Sequence, residues 1–199
     1  HPEYRRQRQM CIRDRLKYGS SIGAFISNRD FDSGGDMTTS GIDFHYHPGY
    51  NIHVTIHGAV SVHNESNNLE YVADDEDIQT FNDGRYSKAF DGEEINGSAL
   101  GIGISQWSRT DSRGIVARFR SPGFRTSNGF EQNNNTKWIK VSRGKSIFHE
   151  NHPKLLKSDY KFELTHKENF GGLVKRHEIE LEGDYKFNNG INFFWAVSY

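Results

Sequence analysis

Short runs of alternating apolar and polar residues recur along most of the chain, and this period of two constrains the fold more than any other feature. Between residues 52 and 62, Ile52, Val54 and Ile56 alternate with His53, Thr55 and His57. Comparable runs occur at residues 100–104, 115–120, 160–165, 178–182 and 191–199. Because successive side chains of a strand point to opposite faces, each run predicts a strand with one apolar face.

Turn-forming residues separate the alternating runs. Asn82-Asp83-Gly84 and Asn188-Asn189-Gly190 supply residues that tolerate the positive φ of tight hairpins. Pro48-Gly49 and Pro122-Gly123 indicate two further reversals. Aromatic residues make up 13% of the chain, which favours strands over helices. The sequence therefore predicts an all-β fold of the jelly-roll, barrel or sandwich kind.

The overall composition narrows the class of protein. The formal net charge is −1, so no global field favours nucleic acid or an anionic membrane. The single cysteine excludes a disulfide framework. No run of eighteen apolar residues predicts a transmembrane helix. We therefore expect a cytoplasmic protein with a small-molecule ligand and neither nucleic acid nor membrane as a partner. A virion or extracellular location and a homo-oligomer are alternatives.

Residues 1–17 differ from the rest of the chain, since they carry five arginines and little that could be buried. A basic arm for nucleic acid and a targeting segment are two interpretations, but no apolar stretch of a signal peptide follows. The segment also resembles translated adapter sequence of the kind found in assembled metagenomic reading frames. We interpret it as non-native or disordered and leave it out of the fold prediction.

Four histidines lie within residues 44–58, which read FHYHPGYNIHVTIHG. A hairpin closed by residues 48–50 would place His47 opposite Asn51 and His45 opposite His53. Strand parity then puts His45, His47, His53 and His57 on one face, together with Asn51. Converging imidazoles can bind a metal, and a solvated polar side above an apolar core is the alternative.

This stretch resembles the first motif of the cupin family, in which a His-x-His pair is followed by a Glu ligand and, six residues later, a Gly. His45 and His47 match the pair, Asn51 stands at the Glu position and Gly58 matches the Gly. Residues 76–91 (EDIQTFNDGRYSKAFD) fit the spacing of the second motif, with Gly84 matching and Ser87 at the last His position. The resemblance implies a small β-barrel with a pocket in its lumen.

The departures from the cupin pattern imply a degenerate metal site. Cupins hold Fe, Mn, Ni or Zn through three His and one Glu, whereas Asn51 and Ser87 replace two of these ligands. We expect one such divalent metal to bind weakly or not at all, with His53 and His57 as substitutes for the missing ligands. The positions expected to contact a ligand in the pocket are Asn51, Thr55, Tyr86 and Ser87.

The second half of the chain repeats this pattern in outline. His152-Pro153 precedes residues 187–190 (FNNG) by about the distance that His47-Pro48 precedes residues 81–84 (FNDG). This predicts two tandem cupin-like units, at residues 18–106 and 107–199, of which the second is truncated. A single β-sandwich is the alternative, because hairpin proteins commonly reuse Asn-Gly turns.

Three functions agree with these features. The first is a cupin-like barrel that binds a small polar ligand, such as a sugar or an organic acid. The second is a metal-dependent cupin enzyme, such as a dioxygenase or a sugar isomerase. The third is a carbohydrate-binding or virion surface β-sandwich. Loss of two metal ligands favours the first, and enzymatic activity stays open.

Overall fold

A computed structural model of the chain describes residues 6–32, 34–49, 51–67, 80–82, 84–87, 91–126 and 134–199. Within these ranges the chain forms twelve strands, no α-helix and one 3-10 turn at Lys17–Gly19, which confirms the all-β prediction. The strands are β1 (Arg6–Arg15), β2 (Ser21–Asp30), β3 (Asp36–Gly49), β4 (Ile52–Asn64), β5 (Thr80–Phe81), β6 (Tyr86–Ser87), β7 (Glu94–Trp107), β8 (Asp111–Arg120), β9 (Thr136–Phe148), β10 (Leu155–Glu168), β11 (Val174–Phe187) and β12 (Asn192–Ser198).

Ten of these strands form one antiparallel sheet, in the order β1-β2-β3-β4-β7-β8-β9-β10-β11-β12. The small hairpin β5-β6 is inserted between β4 and β7. In the described residues β1 and β12 are the two edges of the sheet and do not pair with each other, so the strands do not form a closed barrel. Pairing between β7 and β8 continues the sheet across residue 106, where the two-unit interpretation placed its boundary. Strand β1, within the segment set aside above, pairs with β2 over ten residues.

The two ends of the sheet differ in the length of their connections. At one end, called the short-turn end, the links 16–20, 50–51, 108–110, 149–154 and 188–191 contain two to six residues each. At the other, called the long-loop end, the links 65–93 and 121–135 contain 29 and 15 residues, and the links 31–35 and 169–173 contain five each. The two ends of the sheet therefore differ in the length of their longest links.

Cross-strand pairs share a face, and the pairing separates the side chains of the sheet into an apolar face and a polar face. One row of the apolar face runs through Ala24, Ile42, Gly58, Leu100 and Phe119. These side chains are not covered by a second layer: the exposed fraction is 61% for Ile42 and 41% for Leu100. The alternation read from the sequence thus corresponds to a real division of faces.

Buried apolar residues are few and lie at the long-loop end. They are Met37, Tyr86, Ile95 and Phe124. Phe124 belongs to the link after β8, which folds over the polar face: the backbone N of Arg125 donates to Ser61 Oγ at 3.1 Å. The approach is close, since a Cβ at Gly97 would lie 2.1 Å from the backbone N of Phe124. This end of the polar face is therefore capped by the chain itself.

The accessible surface reflects the single layer. It measures 13908 Å², whereas a folded monomer of 22.9 kDa is expected to expose about 9,600 Å². No helix among the described residues has the length and apolarity needed to cross a bilayer.

Candidate functional site

The histidine-rich hairpin is registered differently from the sequence prediction. An irregularity between Tyr46 and Gly49 shifts the pairing, so that His45 lies opposite Thr55 and not opposite His53. His57 lies opposite Asp43. The shift is an even number of residues, and His45, His53 and His57 still share the polar face because parity is unchanged.

The four histidines form two separate pairs. The ring centroids of His45 and His57 are 5.2 Å apart, and those of His47 and His53 are 4.2 Å apart. Trp107 stacks on His53 at 4.3 Å. In the described part of the chain no three of these imidazoles bring ligand atoms within 4.8 Å of one another. Two-histidine contacts of this kind favour weak metal binding, and the predicted histidine site stays a prediction.

The four positions predicted to bind a ligand are not brought together. Asn51 lies exposed in the turn between β3 and β4, where its carbonyl accepts a hydrogen bond from the backbone N of Trp107 at 3.0 Å. Thr55 lies on the polar face of β4. Tyr86 and Ser87 are buried in β6, at the long-loop end. A single pocket formed by all four would have to span the length of the sheet.

A basic groove lies on the polar face between β8 and β11, with a volume of about 320 Å³. The groove is lined by Arg118, Arg120, Thr136, Trp138, Lys167, Lys175 and Arg176. The Arg118 guanidinium lies 5.2 Å from the centre of the Trp138 ring. Cationic side chains in such a concave surface attract small anions. Sequence analysis missed the groove, because Lys167 and Arg176 join it only through strand pairing.

Cross-strand ion pairs cover the polar face beside this groove. Lys140 Nζ lies 2.7 Å from Glu163 Oε2, and Lys161 Nζ lies 3.2 Å from Glu182 Oε2. Charged side chains on the three adjacent strands β9, β10 and β11 keep this face compatible with water and incompatible with an apolar partner.

Three carboxylates meet at the long-loop end, in a small lobe. The described residues of this lobe are the hairpin β5-β6 and the neighbouring residues 65–67 and 91–93. One oxygen each of Glu65, Asp91 and Glu93 lies within 4.8 Å of the other two, so these residues could hold a metal ion. Glu93 Oε2 accepts a hydrogen bond from the backbone N of Ser87 at 2.8 Å. Sequence analysis missed this cluster, since no spacing rule connects Glu65 with residues 91–93.

The apolar face carries an apolar band that runs obliquely across the sheet and is interrupted by Arg113 and Arg143. In β4 the band includes six consecutive positions, namely Ile52, Val54, Ile56, Gly58, Val60 and Val62. In the first half of the sheet it is centred on the row of Ala24, Gly58 and Phe119, and in the last three strands on the row of Tyr160, Gly183 and Trp195. The band therefore shifts along the strands from one edge of the sheet to the other.

The size of this shift gives the angle between the band and the rows. Following the pairing, the two rows cross β8 at Phe119 and Asp111, eight residues apart. Eight residues correspond to about 27 Å along a strand, and the seven strand spacings from β2 to β11 correspond to about 34 Å. The band thus makes an angle of about 39° with the rows of paired residues. In a sheet whose strands are tilted by about 39° from the vertical, such a band would be horizontal.

Comparison with known proteins found no matching family model, no matching curated protein and no matching solved structure. The resemblance to cupins stays a prediction, and the function is argued from the geometry of the two faces.

Proposed function

We propose that the sheet is part of the wall of a transmembrane pore, with its apolar face against lipid and its polar face lining an aqueous passage for small hydrophilic solutes. This differs from the sequence-based expectation of a cytoplasmic protein without a membrane partner. The observation that carries the proposal is the apolar band across the ten-stranded sheet, interrupted by Arg113 and Arg143, which no second layer covers in the described residues.

The extent of the band in β4 agrees with the dimensions of a bilayer. Residues 52 and 62 are ten residues apart, about 34 Å along the strand. At a tilt of about 39° the projected height is about 26 Å, close to the apolar band of about 25 Å on membrane-spanning sheets. Membrane-spanning strands of 9–11 residues, tilted by about 45°, have the same geometry.

The asymmetric ends and the polar face support the same function. Sheets that span outer membranes have short turns on one side and longer loops on the other, and in this sheet both links longer than six residues lie at one end. The segment around Phe124, folded over the polar face, would narrow the passage at the long-loop end. In lipid the edges of β1 and β12 must be paired, which requires closure of the sheet or further strands.

Two arginines interrupt the band. Arg113 and Arg143 pair on the apolar face of β8 and β9. The Arg143 side chain is 71% exposed, and its Nη2 lies 3.8 Å from Asp111 Oδ2 towards the short-turn end. Long arginine side chains can extend to the interface and keep the guanidinium in water. The proposal therefore requires that both point to the short-turn border.

The three tryptophans provide the test, because they lie on different faces. Trp195 lies on the apolar face over Gly183, whereas Trp107 and Trp138 lie on the polar face. Variants that keep a single tryptophan would be reconstituted into vesicles of phospholipids brominated on the acyl chains. We expect strong quenching of Trp195 by the bromines and of Trp138 by aqueous acrylamide. Equal quenching of both by acrylamide, with no effect of bromine, would refute the proposal.

The ligand-binding cupin and the β-sandwich interpretations also stay proposals. Each requires a protein layer over the apolar face, which would come from outside the described residues. Such a layer would protect Trp195 from acrylamide and from brominated lipid alike. The same experiment thus separates a lipid-covered face from a protein-covered one.

A further inference from the structure

The carboxylate cluster of Glu65, Asp91 and Glu93 has features that three exposed acids would not share. The Glu65 side chain is only 3% exposed, although it lies at the end of a strand and beside a loop. Its Oε2 atom is buried and has no hydrogen-bond partner among the described residues. A buried carboxylate oxygen without a partner is destabilising, and a bound cation would supply the partner that the described residues do not.

The charges around Glu65 do not balance. Arg125 is the cation that contacts the cluster, and its Nη1 lies 3.5 Å from Glu65 Oε1. Among the described residues, three carboxylates and one guanidinium leave a formal charge of −2, which one divalent cation would neutralise. Burial of the Glu65 carboxyl raises its pKa, an effect that the neighbouring Glu93 and Asp91 increase and Arg125 opposes. The negative charges of Glu93 and Asp91 make a bound cation more favourable, whereas the guanidinium of Arg125 makes it less favourable.

The remaining neighbours fix the carboxylates in place. The backbone N of Ser87 donates to Glu93 Oε2 at 2.8 Å, and Ser87 Oγ lies 3.3 Å from Asp91 Oδ2. The backbone N of Glu65 donates to the carbonyl of Glu93 at 3.0 Å, which connects the end of β4 to the segment before β7. Carboxylates from two distant parts of the chain are thus held together before any ion binds.

We propose that Glu65, Asp91 and Glu93 bind a calcium ion that fastens the lobe of β5 and β6 to the sheet. Oxygen donors favour Ca²⁺, Mg²⁺ or Mn²⁺ over the Fe, Ni or Zn expected from the cupin resemblance. Ca²⁺ accepts irregular sets of six to eight oxygens, whereas Mg²⁺ demands near-octahedral geometry. The site lies at the long-loop end, away from the histidine pairs, and its existence does not depend on the membrane proposal.

Terbium luminescence offers a direct assay, because Tb³⁺ occupies calcium sites and is excited through a nearby tyrosine. Tyr86 is adjacent to Ser87, which contacts two of the three carboxylates. Tb³⁺ would be titrated into the purified full chain and displaced with CaCl₂, MgCl₂ or ZnCl₂. We expect displacement by Ca²⁺ at submillimolar to millimolar concentrations, and by Mg²⁺ only at concentrations at least tenfold higher.

Matched variants decide whether this cluster is the site. Asp91→Asn and Glu65→Gln should each weaken calcium binding at least tenfold. Glu94→Gln removes an equal charge from the adjacent residue, whose side chain accepts from Asn96 instead, and should change the affinity less than twofold. Asp91 is exposed, so its variant should fold even where Glu65→Gln does not. Absence of calcium-displaceable luminescence, tighter binding of Zn²⁺, or an equal loss in Glu94→Gln would overturn the proposal.

Discussion

Replacing Ile102 with lysine tests the membrane proposal, because the change in the free energy of unfolding depends on whether lipid or water surrounds this side chain. Ile102 lies on the apolar face of β7, opposite Ile56 on one side and Ala117 on the other. The charge-free positions of β7 run from Asn96 to Gln106, so Ile102 is one residue, about 3.4 Å, from the middle of the band. A lysine there would lie near the bilayer midplane, where it costs about 2–4 kcal/mol.

The expected loss is large enough to separate lipid from water. A cost of 2–4 kcal/mol reduces the folding equilibrium constant roughly 30- to 900-fold. If the apolar face were in water, Ile102→Lys would cost less than about 1 kcal/mol, since Ile102 is already 38% exposed. The free energy of unfolding would be measured by urea titration in phospholipid vesicles, with tryptophan fluorescence as the signal.

Ser105→Lys is the matched control, because Ser105 lies three residues away on the polar face of the same strand. Its cost should stay within about 0.5 kcal/mol, as for a surface substitution. Equal and small costs for both lysines would refute the lipid-facing assignment. A large cost for Ile102→Lys in buffer without lipid or detergent would instead indicate a protein layer on that face.

Three further predictions follow from single side chains. Arg143→Leu should raise the free energy of unfolding in vesicles by about 1–2 kcal/mol, because it removes a charge from the band; a decrease in the same urea titration would contradict this. Phe124→Ala should lower the free energy of unfolding by about 3–5 kcal/mol and expose the amide of Arg125 to hydrogen exchange. Phe194→Ala, at a site already 62% exposed, should have neither effect. The raised pKa of Glu65 means that its stabilising contribution is complete below the ordinary carboxyl pKa and is lost as pH rises through the raised value. Without calcium, the melting temperature of the wild type relative to Glu65→Gln should therefore fall as pH rises above about 4, the ordinary carboxyl pKa, and a rise would contradict the assigned shift.

The sequence was sufficient to predict the strands that carry regular alternation, because alternation is a local property, whereas β1 was missed with the segment set aside at residues 1–17. Ile52 to Val62, Ile115 to Phe119 and Ile179 to Leu181 all occupy strands whose apolar positions share one face. The register of the hairpin was wrong by two residues because an irregularity near Pro48 cannot be inferred from parity. The number of sheets was also beyond local reasoning, since the same alternation is expected in a sandwich, in a closed barrel and in one continuous sheet.

The candidate site could be predicted only where its residues lie close together in sequence. His45 and His57 share a face and come within 5.2 Å, as parity indicated. Glu65 and Asp91 are separated by 25 residues, and the approach of their carboxylates depends on the lobe that includes β6. Functional groups that gather through tertiary structure leave no periodic signal.

A cupin fold and a membrane-spanning sheet both explain the alternation, but they place the apolar face differently. In a cupin this face packs against a protein core, and in a membrane it faces lipid. In a cupin the apolar side chains would fill a core, and the histidines would look into a closed lumen. In the structure the apolar side chains form an uncovered band, while the polar face carries the histidines, the basic groove and the ion pairs. Period-two patterns specify which residues share a face, but not which face meets water. An oblique apolar band without a covering layer supports the membrane proposal, and the lysine substitution at Ile102 tests whether lipid or protein covers it.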